Sequence, residues 1–365
     1  MKRFVPILLL TFLVSLSLAC QAVTRLISLE TPAPLSSGLP DEQAGRLSLT
    51  RTPVPSHPVA ILTETMTPTP NACPNGECII ACVNRLNAIV HPQSKKTPRH
   101  KFKGDEEYTL VTYQIHDDQI TQPELGDVPT SLKSYQGDRS SQTEIWDYFA
   151  AIIPLDQRNF LVHYLVFTDG QENTLAAVAQ SENNASQWDL SVDILDTSDP
   201  KDLTFTLIHE FGHLLTLNPD QVTPSLAIFD QPDSDSVYDD EEQACPNYFP
   251  GEGCSHKNAY INLFFSRFWG KIYDEWLVIE DIEDQDVYDE RLDDFYRRYK
   301  DQFVTDYAPT SPEEDIAESW ASFILKPKPG AHTIANRKVL FFYEFSELVK
   351  LREQIARNLC QQLEK

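Results

Sequence analysis

Leu203-Thr204-Phe205-Thr206-Leu207-Ile208-His209-Glu210-Phe211-Gly212-His213-Leu214-Leu215-Thr216-Leu217 is the stretch on which the reading of this chain turns. Its apolar residues recur with helical spacing. At about 100° per residue, Leu207, Ile208, Phe211, Leu214 and Leu215 form one stripe, and His209 and His213 fall opposite it with Glu210 beside them. A helix returns to nearly the same face after four residues, so the two imidazoles project side by side, as a tetrahedral zinc ion requires. Glu210 is then placed to take a proton from a water that the metal activates. Core histidines would lie within the apolar stripe. These face away from it, as on a helix that packs against a sheet and turns its other side to a cleft. Asp202 reads as the N-cap and Asn218-Pro219 as the stop.

The N-terminus reads as a targeting segment, a signal peptide over residues 1–19. Lys2 and Arg3 precede an apolar run from Phe4 to Leu18, of signal-peptide length and short for a membrane span. It ends in Leu16-Ser17-Leu18-Ala19-Cys20, which resembles a bacterial lipobox, although Ser17 stands where Leu is usual. By that pattern Cys20 is acylated and anchors the protein to a membrane outside the cytoplasm; ordinary cleavage after Ala19 would instead release it as a secreted protein. Export accounts for the other six cysteines: Cys73, Cys78, Cys82, Cys245, Cys254 and Cys360. In an oxidising compartment they suggest disulfides. Cys245 and Cys254 flank a Pro/Gly-rich loop and are expected to pair locally, leaving one of the first three to reach Cys360. Fifty-five acidic against 30 basic residues give a formal net charge of −25. That argues against nucleic acid, and against electrostatic attraction to anionic membranes.

Residues 20–72 carry no aromatic residue and eight prolines between Pro32 and Pro70, and read as a flexible tether. The folded part is expected over 73–365. Strand patterns cover Tyr108–Ile115, Phe160–Thr168, Leu175–Gln180 and Trp188–Leu195, with helix from Gln142 to Ile153 and the motif helix from Leu203 to Leu217. This order predicts an α+β, zincin-like metallopeptidase domain with a mixed sheet, an active-site helix and a helical C-terminal part. Leu175–Gln180 is the candidate edge strand, where an extended substrate could add to the sheet. Residues 219–306 read as an acidic insertion. Asp230–Glu242 lacks the spacing of a calcium loop, and Asp274–Asp294, with Trp276 and Tyr288 among many acids, reads as a solvated helical face. Val339–Leu359 reads as a closing helix.

Two histidines leave a catalytic zinc one protein ligand short. The metzincin continuation fails, because Thr216 and Pro219 stand where Gly and a third His would be. The best downstream segment runs from Tyr307 to Trp320, where Ser311 reads as an N-cap and Pro312 as the first helical residue. Glu314 and Glu318, at i and i+4, border the apolar face made by Ile316, Trp320, Phe323 and Ile324. They could serve as a zinc ligand and as a carboxylate that orients a ligand histidine. Ser311-x-x-Glu314 is also a capping box, in which Glu314 would only satisfy a backbone N–H; Glu318, another acid or His256 would then complete the site.

An acid-bearing second helix of this kind resembles the gluzincin arrangement. Together with Tyr307 seven residues ahead of Glu314, it is similar to the catalytic domains of anthrax lethal factor and the Pro-Pro endopeptidases. The resemblance covers His209–His213 and Tyr307–Glu318 alone. It implies Glu314 as third ligand, Glu318 behind a ligand histidine, and the Tyr307 hydroxyl as a donor to the oxyanion. This chain departs from that family in placing Glu314 101 positions after His213. The resulting expectation is a Zn2+-dependent hydrolase of a protein or peptide substrate. A non-catalytic zinc-binding envelope lipoprotein and a hydrolase of a cell-wall amide are the rivals.

Overall fold

The computed structural model describes residues 107–170 and 174–362. The expected signal peptide, the tether, Cys20 and the cluster Cys73, Cys78 and Cys82 lie outside the described residues.

A five-stranded mixed sheet organises the N-terminal half. Its strands are β1 (Tyr108–His116), β2 (Gln119–Leu125), β3 (Leu161–Thr168), β4 (Ala176–Ser181) and β5 (Asn184–Asp193), in spatial order β2-β1-β3-β5-β4. Only the β3–β5 pair is parallel. β4 lies at the edge and returns to β5 through a tight turn, with Ser181 opposite Asn184. The Leu175–Gln180 segment is therefore an edge strand, as its position before the motif suggests. β2 was not legible, because Pro123 and the left-handed Gln122 interrupt its pattern. An outer strand tolerates both, since its far side has no ladder to maintain.

Helix α1 (Arg139–Ile152), capped by Asp138, places Trp146 and Phe149 in the core. The motif helix α2 (Pro200–Leu217) begins three residues earlier than Asp202 would set it. Asp199 is the cap, accepting from Lys201 N at 2.8 Å, and Pro200 opens the helix, where its missing N–H costs nothing. Asp202 instead lies in the first turn, suited to the helix dipole. Asn218 ends the helix, its Nδ2 donating to the Leu214 carbonyl at 2.8 Å.

The insertion is helical: α3 (Asp235–Ala244), α4 (Tyr260–Phe268), α5 (Tyr273–Glu280) and α6 (Gln285–Tyr299), with a small ladder of β6 (Val222–Pro224) on β7 (Gly253–Ser255). Asp230–Glu242 falls largely within α3. The expected solvated face over Asp274–Asp294 needs correction. Its acids do line an exposed side, but Trp276 is buried and stacks with Tyr273, and Phe295 just beyond is buried against Trp269. A 3.6-residue pattern with few apolar positions still buries an aromatic on each helix when both ends of the segment dock. Cys245 and Cys254 are bonded, their Cα atoms 5.3 Å apart, as expected. Cys360 is also in a disulfide; its expected partners, Cys73, Cys78 and Cys82, lie outside the described residues.

Helix α7 (Pro312–Leu325) crosses α2, and the chain ends in α8 (Ile334–Phe341) and α9 (Ser346–Gln362). The single closing helix expected over Val339–Leu359 is thus two. Phe341 and Phe342 are both fully buried, and a short 3-10 turn at Phe342–Glu344 lets Phe342 pack on Trp320 and Phe323 while Phe341 packs on Phe264. No described helix is long and apolar enough to cross a membrane.

One buried ion pair ties these parts together. Asp315 on α7 pairs with Lys338 on α8 and accepts from Trp269 Nε1 at 2.8 Å; both charged side chains are fully buried. The ammonium also lies 4.2 Å from the Phe303 ring. Burial pushes the Asp315 carboxyl up to about 6 and the Lys338 ammonium down, against their mutual attraction. Lys338→Ala would strand a buried carboxylate, so we expect a loss of about 3–5 kcal/mol in urea unfolding. A Lys338→Met/Asp315→Leu double variant should recover most of it, because the two desolvation costs vanish together.

Candidate metal centre

The two helices that cross at the site are held close by Gly212. A Cβ at this position would stand 3.1 Å from both Ala317 Cα and Trp320 Cδ1 on α7. A side chain there crowds α7, which carries Glu314 and Glu318. Gly212→Val should therefore cost about 1–3 kcal/mol by overpacking.

The side of α2 that bears the histidines does not face an open cleft, as the sequence pattern suggested. It faces α7, and His209 and His213 are only 6% and 8% exposed. His209 Nε2 lies 3.0 Å from Glu314 Oε2, His213 Nε2 lies 3.4 Å from the same oxygen, and the two ring nitrogens are 3.1 Å apart. The other imidazole nitrogen of His209, Nδ1, is 2.9 Å from Glu318 Oε1, without the alignment of a full hydrogen bond. Glu318 is fixed from behind, where its Oε2 accepts from Thr305 Oγ1 at 2.7 Å. Ser311 does cap α7, accepting from Glu314 N at 3.1 Å. The Glu314 carboxylate, however, is turned to the imidazoles rather than back to the cap.

This triangle suits zinc. Metal–ligand distances of about 2.0–2.1 Å at tetrahedral angles set ligand atoms about 3.3 Å apart, and the three atoms here are 3.0, 3.1 and 3.4 Å apart. Glu314 Oε2 is buried without a hydrogen-bond donor, so three lone pairs converge where a cation would satisfy them all. His209, His213 and Glu314 would hold the ion.

The electrostatics follow from the same packing. Burial works against charge on both imidazoles, but Glu314, with Glu318 at His209, outweighs it and raises their pKa. Burial also opposes ionisation of Glu314, and the imidazoles overcome it and hold its carboxyl far below the usual range. Glu210 is different. Burial pushes its carboxyl up to about 7, against the imidazoles and the Val178 backbone N–H of β4. The ring of Tyr307 is half exposed and 6.1 Å from that of His209. Its hydroxyl end is nonetheless desolvated and close to Glu314, Glu210 and Glu318, which raises its pKa.

The chain matches no protein-family model, no curated protein and no solved structure. The site is therefore read from its own chemistry.

All six residues singled out from the sequence, His209, Glu210, His213, Tyr307, Glu314 and Glu318, meet at this crossing. His256 does not. It is exposed and bonded to Thr223 Oγ1 and to the Asp220 carbonyl, so it is no rival for the third position. Thr305 was missed, since a loop threonine thirteen residues before its partner leaves no periodic signal. Gly212 is visible as a small residue, but its purpose depends on which helix crosses there.

Proposed function

We propose that this chain is a zinc-dependent metallopeptidase on a zincin-like scaffold, exported and anchored by a lipid on Cys20. The observation that carries this reading is the convergence of His209 Nε2, His213 Nε2 and Glu314 Oε2 at tetrahedral spacing, next to the separate carboxylate of Glu210. Zinc held by His209, His213 and Glu314 would supply a Lewis acid for a peptide carbonyl and for the attacking water. Glu210 takes the water's proton and passes it to the leaving amine, so one carboxylate acts first as base and then as acid. Tyr307 donates its hydroxyl to the carbonyl oxygen as negative charge develops there. Glu318 orients the His209 ring, and Thr305 holds Glu318. The free edge of β4, next to Glu210, offers backbone N–H and C=O groups to an extended peptide, which favours a peptide over other amides.

The test is metal analysis of the purified full chain joined to cleavage of a peptide library. We expect about one zinc per chain, and cleavage that chelation abolishes and zinc restores. Bound zinc with no cleavage of any peptide would support the binding-lipoprotein reading, and turnover of a cell-wall amide alone would move the substrate class. Tyr307→Phe should cut kcat/KM on the order of 10–10³-fold with zinc unchanged, measured on any peptide the wild type cleaves.

A further inference from the structure

A second convergence of ligand atoms lies at the opposite end of the sheet's parallel pair from the chain's entry into it. β3 and β5 run in the same direction, so their C-terminal ends come together and bring Asp169 beside Asp193, with Asp196 in the turn that leads towards α2. One carboxylate oxygen from each of the three lies within 4.8 Å of the others. Asp169 and Asp193 are 7% and 1% exposed. Asp193 accepts from the backbone of Asp169 at 3.0 Å and of Leu195 at 2.7 Å, and Asp169 Oδ2 accepts from Thr174 N at 3.1 Å. Asp169 Oδ1, however, is buried with no donor at all. Among the described residues, no Lys, Arg or His pairs with Asp169 or Asp193.

Carboxylates packed this closely repel one another unless a proton or a cation lies between them. Backbone N–H groups orient three of the oxygens, but they bring no net positive charge. An unpartnered buried oxygen within an all-carboxylate set is the arrangement a hard cation completes. Oxygens on opposite sides of a calcium ion stand about 4.6–5.2 Å apart and adjacent ones closer, so a set within 4.8 Å is on the scale of its coordination shell. Magnesium sheds its water reluctantly and suits so enclosed a position less well.

We propose that Asp169, Asp193 and Asp196 form a calcium site that fastens the β3–β4 connection to the β5–α2 connection. Its occupant would tie the edge strand β4 to the start of the helix that bears His209 and His213. The proposal does not rest on zinc or on peptidase activity. The burial that pushes the Asp193 carboxyl up to about 6 is what a bound cation would offset.

Calcium chloride alone, titrated into the zinc-loaded full chain by calorimetry, with parallel thermal unfolding, decides the matter. We expect one calcium per chain and a Tm that climbs with calcium concentration. Asp193→Asn and Asp196→Asn should each weaken calcium binding at least about tenfold, as loss of a charged ligand does. His213→Ala should lose zinc but keep calcium, so failure of the peptidase reading would be seen separately. A wild-type Tm that does not move at about 10 mM calcium, above the weakest ordinary extracellular affinities, would overturn the proposal. So would an Asp193→Asn protein more stable than a calcium-indifferent wild type, which would reveal a shared proton instead. If Asp193→Asn fails to fold, Asp196→Asn decides alone: half-buried and outside the sheet, it must lose calcium affinity, and unchanged binding refutes the site.

Discussion

Glu210→Gln should lower peptide hydrolysis by about 10²–10⁴-fold, towards the upper end, with zinc still bound and the fold intact. The substitution keeps size and hydrogen-bonding capacity and removes only the proton acceptor. Glu210 is buried on the same helical turn as His209, and the two carboxylates of α7 nearest the imidazoles are engaged elsewhere. Glu314 faces both imidazoles and Glu318 is held by Thr305 and His209. Loss of kcat with little change in KM, at unchanged zinc content, is the signature of an interaction made in the transition state. If Glu210→Gln cleaves as fast as wild type with zinc in place, this is not a peptidase site.

Zinc retention should separate the two glutamates of α7. Binding free energies of about 10–16 kcal/mol shared over four ligands put about 2.5–4 kcal/mol on each, so Glu314→Ala should lose on the order of 10²–10³-fold in affinity. Glu318→Ala removes only the group behind His209, and losses of about 10–100-fold are usual for such a change. Competition with a chromogenic chelator measures both on one scale. The reverse order, with Glu314→Ala at full affinity, would reduce Glu314 to a helix cap and make Glu318 the ligand.

How much of this was legible depends on where the information lies. Spacing within one helix was enough for His209, Glu210 and His213, because a four-residue repeat fixes their common face whatever the surroundings. The same rule brought Glu314 and Glu318 together, and Ser311-Pro312 marked where their helix begins. The crossing of the two helices was not written in either pattern. It depends on Gly212 meeting Ala317, a contact between residues more than a hundred positions apart. The histidine face looked solvent-directed because polarity alone cannot distinguish a cleft from a facing set of carboxylates. The insertion looked solvated for a related reason: Trp276 and Tyr288 stand among many acids, and the burial of Trp276 follows from partners outside that segment, Tyr273 and Trp269. The mixed α+β architecture and the edge position of β4 followed from element order, whereas β2 hid behind Pro123.

The long interval between the donors has a kinetic consequence. His209 and His213 become neighbours as soon as one helix forms, a local event completed within about a microsecond. Glu314 arrives only when a contact of very high sequence separation closes. A folding chain therefore holds two donors early and the third late, and tight capture of a metal there would mark finished folding. Until α7 docks, an ion picked up by the imidazole pair is held weakly and can be exchanged.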